Sequence, residues 1–140
     1  TPERASDMNL QYVEFNHLLT TADVISLHVA LSDTTRHIIG SREFSLMNKG
    51  ALFVNGGRGE LVDTMALVNA LNSGHLGGAG LDVFDAEPLP KDHPLLECEQ
   101  VVLTPHMGDQ TPEGIELLNE GAIDNVIAFL KGHPQNVVSL

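Results

Sequence analysis

Ala51-Leu52-Phe53-Val54-Asn55-Gly56-Gly57-Arg58-Gly59 is the stretch whose reading decides the fold. It opens as a short apolar run and breaks into glycines that carry a single arginine. An apolar run without polar alternation, stopped by glycine, reads as a strand buried on both faces of a parallel sheet. Beyond the glycines, Asp63 stands where a helix N-cap is expected. Ala66, Leu67, Ala70 and Leu71 supply a stripe at helical spacing, and Gly74 follows Ser73 as a stop. Strand, polar loop and helix make half of a βαβ unit.

The pattern repeats on either side. Upstream, Asp23 to Ala30 (DVISLHVA) is a second buried strand, followed by a turn at Ser32–Thr35. Ser41 then caps a short helix that carries Phe44, Leu46 and Met47 and ends at Gly50. Nearer the N-terminus, Thr1 to Gln11 read as loop or helix remnant and Tyr12-Val13-Glu14-Phe15 as a short strand. Asn16 is placed to cap a turn through Leu18 and Leu19. Downstream, Gly77 to Phe84 is a small-residue strand whose glycines predict close approach by a backbone or ligand. A loop with Pro88, Pro90 and Pro94 leads to strand Val101–Leu103. Thr111 and Pro112 open a long helix to about Lys131, with Ile115, Leu118, Ala122, Val126 and Phe129 as its expected buried side. Strands alternating with helices predict an α/β fold, a parallel sheet with right-handed crossovers.

Bulk composition narrows the function. Seven basic residues against nineteen acidic ones give a net charge of −12, which argues against binding nucleic-acid phosphates or an anionic membrane surface. Positive charge for an anionic substrate must then come from very few side chains. Aromatic residues are only 4% of the 140, so the core is built from Leu, Val, Ile and Ala. A single cysteine, Cys98, excludes an internal disulfide, and its neighbours Glu97 and Glu99 disfavour a thiolate, so it reads as a small structural residue. No apolar run has the length of a membrane span, the N-terminus lacks a signal-peptide pattern, and the expected compartment is the cytoplasm. His17, His28, His37, His75, His93 and His133 show no metal-ligand spacing, so no metal site is expected.

Three polar residues follow strand ends, where open parallel sheets place their chemistry. Arg58 sits among glycines that allow a ligand to approach the backbone while the guanidinium forks onto a carboxylate. Glu87 alone reads as a surface carboxylate, and His106 alone as a structural histidine. Together they suggest a pair in which the carboxylate holds one ring nitrogen and the other exchanges a proton with substrate. Asp82, in the apolar context GLDVF, requires partners, as a strand-end cap or as a ligand acceptor. Gly77-Gly78-Ala79-Gly80 is not a phosphate loop, because no Gly-Lys-Ser/Thr follows it.

The stretches ADVISLHVALSDTTRHIIG, ALFVNGGRGELVDTMALVNAL, GGAGLDVFDAEPL and VVLTPHMG, in that order, resemble the D-isomer-specific 2-hydroxyacid dehydrogenases. The resemblance runs from about residue 12 to the C-terminus. It implies the second half of a doubly wound, Rossmann-type NAD-binding domain over residues 1–110. Residues 111–140 are then a long helix and tail returning to a substrate domain. It also implies hydride exchange between NAD or NADP and a small 2-oxo or D-2-hydroxy acid. Arg58 resembles the substrate anchor, His106 the general acid/base and Glu87 its partner. Val29, Gly56, Gly57, Arg58, Asp82, His106 and Gly108 resemble the residues around the cofactor. The family's GxGxxG turn is not among these residues, so the chain is expected to begin beyond it. Tyr12–Phe15 and Asp23–Val29 would then be third and fourth strands of a 3-2-1-4-5-6 sheet, separated in space. The fourth would present an apolar edge for a second copy of the chain or a missing N-terminal half to cover. The alternative function is a non-catalytic NAD-binding or assembly module that keeps the dehydrogenase fold.

Overall fold

The computed structural model describes residues 2–138. Its strands are β1 (Val24–Leu27), β2 (Leu52–Asn55), β3 (Gly78–Leu81) and β4 (Val101–Leu103). Its helices are α1 (Pro2–Asp7), α2 (Phe15–Thr21), α3 (Ser41–Leu46), α4 (Thr64–Asn72) and α5 (Pro112–Leu130). All four strands are parallel and lie side by side in the order β1-β2-β3-β4, so the fold is α/β as expected. The chain divides into two compact units, one ending at His106 and the other starting at Met107.

In the first unit, one face of the sheet is dry. Ile25, Leu27, Phe53, Ala79 and Leu81 join Phe44, Leu67 and Leu71 in one buried cluster. The Phe44 and Phe53 rings meet edge to face with centroids 5.3 Å apart, a favoured aromatic geometry. Helix α4 begins as its sequence predicts: the Asp63 carboxylate accepts the Ala66 amide at 3.0 Å, and Gly74 closes the helix with φ +69°. Gly77 shows why β3 opens with glycines, since a Cβ there would stand 2.5 Å from the Gly50 carbonyl oxygen. That is the close backbone approach expected of this strand.

Several expectations are corrected. Burial alternates along β1 and β2, and Val24, Leu52 and Val54 are exposed, as is Val102 on β4. These strands are therefore buried on one face, because α3 and α4 pack on that side and no described element of the first unit covers the other. Tyr12–Phe15 is not a strand: Tyr12 is exposed, Glu14 occupies the N-cap position and Phe15 already belongs to α2. Glu14 instead offers its carbonyl to the Leu18 amide as α2 begins. The third-strand placement falls with that strand. Gly40 rather than Ser41 is the N-cap of α3, its amide donating to the Glu43 carboxylate.

In the second unit, Thr111 caps α5 by accepting the Gly114 amide at 3.0 Å, with Pro112 in the first turn as expected. None of its residues is buried, so Ile115, Leu118, Ala122, Val126 and Phe129 do not form a buried side. The stripe has helical spacing, but the residues beyond α5 in this small unit do not cover it. Among the described residues, no helix is long and apolar enough to cross a membrane.

Candidate active site at the strand ends

Parallel register sets up the site. Leu27, Asn55 and Leu81 are partners across β1, β2 and β3, and Leu81 is partnered by Leu103 of β4. All four strands thus end at one level, and the segments after them share a rim. After β2, the buried Asn55 organises the glycine loop. Its Oδ1 accepts the Gly57 amide at 3.0 Å, and its Nδ2 donates to the Arg58 carbonyl at 2.9 Å. The Arg58 side chain is exposed, and its Nη1 donates to the Gly57 carbonyl at 2.7 Å. His28, Val29, Ala30, Leu31, Gly56, Gly57 and Arg58 line a cleft of about 540 Å³ at this end of β1 and β2.

Glu87 and His106 meet. They follow the adjacent strands β3 and β4, and His106 Nδ1 lies 2.7 Å from Glu87 Oε2. The other oxygen, Oε1, accepts the Phe84 amide at 2.9 Å, so the carboxylate is held at both ends. His106 has φ +51°, a left-handed conformation unusual for a residue with a side chain, and its amide donates to the Thr104 carbonyl. The hydrogen bond from His106 holds the Glu87 carboxyl below its ordinary value. The Phe84 amide, the charge of His106 and the charge of Arg58 act in the same direction. Arg58 follows β2 at the same level of the sheet. Phe84, Glu87, Pro88, Leu89, Pro105 and His106 enclose a pocket of about 390 Å³ beside the pair.

Asp82 is half-buried just past β3, and its carboxylate accepts the Thr104 hydroxyl across to the segment after β4. Gly108 belongs to the second unit. Among the described residues, no group of three or more His, Cys, Asp or Glu side chains is arranged to hold a metal ion. Burial, with a smaller contribution from Glu97, pushes the Cys98 thiol up, away from thiolate character. Two supports of the site escaped the sequence. Asn55 carried a local signal, since Asn before Gly-Gly is a side-chain-mediated turn. Asp85 accepts from the Thr64 hydroxyl and faces His93, contacts that join distant segments and leave no local pattern.

An anchored imidazole–carboxylate pair with a guanidinium nearby can pass a proton to a substrate oxygen while a cation steadies an anionic group. Comparison with known proteins identifies the family to which the chain is similar. The family model described as "D-isomer specific 2-hydroxyacid dehydrogenase, NAD binding domain" matches residues 1–108. The glyoxylate reductase of Thermococcus litoralis is 45% identical over 139 residues, covering 99% of this chain and 42% of that protein. A crystal structure of a glyoxylate reductase from Paecilomyes thermophila superposes with a TM-score of 0.83 at 39% identity, over 91% of this chain and 38% of the other. The D-lactate dehydrogenase of Aquifex aeolicus, solved with NAD and lactic acid, gives a TM-score of 0.84 at 34% identity, over 95% and 44%. The chain thus spans about two fifths of the length of the relatives it matches. With the matched family model covering most of its length, the chain belongs to the D-isomer specific 2-hydroxyacid dehydrogenase family, in the region of its NAD binding domain.

Proposed function

We propose that the protein carrying this chain interconverts a small 2-oxo acid and its D-2-hydroxy acid by hydride exchange with NAD or NADP. The observation that carries the reading is the Glu87–His106 hydrogen bond at a rim shared with Arg58. A bound nicotinamide supplies the hydride. Arg58, exposed at the cleft, binds the substrate carboxylate and draws charge from the carbonyl oxygen as it becomes an alkoxide. His106 gives that oxygen its proton in reduction and takes it back in oxidation, using Nε2, the ring nitrogen that Glu87 does not hold. Glu87 fixes the orientation of the ring and compensates the imidazolium when it forms.

The strand-end cleft suits a dinucleotide's nicotinamide end: around Gly56, where a Cβ would meet nothing within 4 Å, bare backbone faces the opening. Val29, Gly56, Gly57, Arg58 and His106 would surround the cofactor there, with Asp82 as acceptor for the carboxamide; a cofactor contact by Gly108 rests on the family resemblance alone. Residues 111–140 are then the helix and tail that lead back to a substrate domain. We assign β1, at one edge of the described sheet, as the edge that a second copy of the chain or an N-terminal half pairs with. Light scattering of the isolated chain that finds only monomer at micromolar concentration overturns pairing with a second copy.

The test of function is quenching of NADH fluorescence by the full-length protein, followed by its reduction of glyoxylate and hydroxypyruvate. Binding of NADH with no turnover of any 2-oxo acid would sink the proposal and leave a binding module.

A further inference from the structure

A Cβ placed on Gly59 would stand 1.9 Å from the Phe84 carbonyl carbon, 2.2 Å from its oxygen and 2.3 Å from the Asp85 nitrogen. These atoms form a single peptide group, and backbone cannot swing aside as the tip of a side chain can. Gly59 does not adopt a positive φ, so the position demands space rather than backbone freedom. The loop after β2 therefore rests directly on the peptide that precedes Glu87. On one side of the contact is Arg58, next to Gly59 in the chain. On the other, the Phe84 amide donates to Glu87 Oε1 at 2.9 Å, and Glu87 Oε2 holds His106 at 2.7 Å.

The residue on the far side of that peptide, Asp85, is held through its side chain from a second direction. The Thr64 hydroxyl, in the first turn of α4, donates to Asp85 Oδ2 at 3.2 Å, and His93 Nε2 lies 3.5 Å from Asp85 Oδ1. His93 Nδ1 accepts the Leu95 amide, which places the proton of the neutral ring on the nitrogen facing Asp85.

We infer that the contact of Gly59 with the Phe84–Asp85 peptide is the joint that sets the Arg58 loop against the Glu87–His106 pair. Gly59 is thereby a positioning residue that acts through this peptide. The inference extends the proposed function and rests on it for its catalytic readout, while its structural readout does not. Within the same loop the demand is selective, because a Cβ on Gly56 would meet nothing within 4 Å.

Amide hydrogen exchange on the chain itself reads the joint. Gly59→Ala must displace the Phe84–Asp85 peptide, and, through the Phe84 backbone, loosen the bond from the Phe84 amide to Glu87, so Phe84 exchange should rise by about tenfold or more while Phe53 and Leu81 in the strands hold their rates. Gly56→Ala should leave Phe84 exchange as it is. In the full-length protein, Gly59→Ala should lower kcat by about 10²-fold, the scale of a small misplacement of reacting groups, with a much smaller change in KM. The solvent deuterium isotope effect on kcat should grow as the misplaced proton transfer becomes slower, a change that partial unfolding does not produce. If Gly59→Ala does not fold, Asp85→Ala removes the bracing from an exposed side chain without adding volume, and should raise Phe84 exchange in the same direction. Wild-type Phe84 exchange in a folded variant of either kind overturns the inference. A wild-type protein that turns over no 2-oxo acid defeats the proposed reaction instead, and Phe84 exchange still decides the joint.

Discussion

On the helix-covered face of the sheet, Phe53, Phe44, Leu67 and Leu71 are removed from water and hold one another by packing. At the carboxyl rim of the same sheet, Arg58, Glu87 and His106 stay exposed and are held by hydrogen bonds and charge. The two regions are only a few residues apart along each strand, and β2 passes from one to the other at Asn55. That residue belongs to both: it is 2% exposed, like the core, and its amide ties down the loop that carries Arg58. The contrast teaches that the covered face supplies rigidity and the rim spends it on orienting polar groups. Damage to one should then be separable from damage to the other.

The sharpest separation is His106→Ala. In the full-length protein it should lower kcat by roughly 10²–10⁴, the span of a lost general acid/base, and cost no more stability than the about 0.2–1 kcal/mol of an exposed pair. Steady-state kinetics and an unfolding curve on one preparation check both halves. The mirror experiment is Phe53→Ala, which should cost about 3–5 kcal/mol of stability through lost burial and the cavity left behind. A Phe53→Ala protein that unfolds at the wild-type urea concentration would show that the covered face is not where the stability lies.

The same division governs what could be read from residues alone. Strand β2, helix α4 with its Asp63 cap, and the start of α5 were legible because apolar spacing and capping residues act locally. Tyr12–Phe15 was not, since aromatic and β-branched residues favour a strand only where a neighbouring strand takes their backbone bonds. Nor could an apolar run tell how many faces of a strand are covered. Leu52 and Phe53 look alike in sequence, yet one is 46% exposed and the other 0%. The stripe on α5 taught the same lesson. At the rim, the proximity of Glu87 and His106 was foreseeable once their strands were taken as aligned neighbours. The bracing of Asp85 by Thr64 and His93 was not, because those residues come together only through the fold.

A smaller effect tests how the rim is held. His106 and the Phe84 amide favour the ionised form of Glu87, so its folded-state pKa lies below the ordinary value of 4.5. A depressed carboxyl contributes stability above its unfolded value, and loses that contribution as pH falls through the lower folded value. Glu87→Gln should therefore cost stability at pH 6 and above, by about 0.2–1 kcal/mol for so exposed a pair. The difference from wild type should shrink as pH drops below 4.5. Urea unfolding of both proteins at several pH values measures it, and a difference that grows on acidification contradicts the pairing.

The smallest effect should come from Leu52→Ala. Leu52 is adjacent to Phe53 on β2 but faces the uncovered side of the sheet, where it is 46% exposed. Truncation there opens no sealed cavity, and part of the apolar surface removed is already in water, so the cost in the isolated chain should be about 0.5 kcal/mol or less. Set beside Phe53→Ala, this gives a difference of several kcal/mol between neighbouring residues of like chemistry. The same Leu52→Ala substitution in the full-length protein asks a separate question. If its cost rises toward that of a core truncation, the open face is covered there, and the division between a dry and a wet side belongs to these 140 residues rather than to the complete protein.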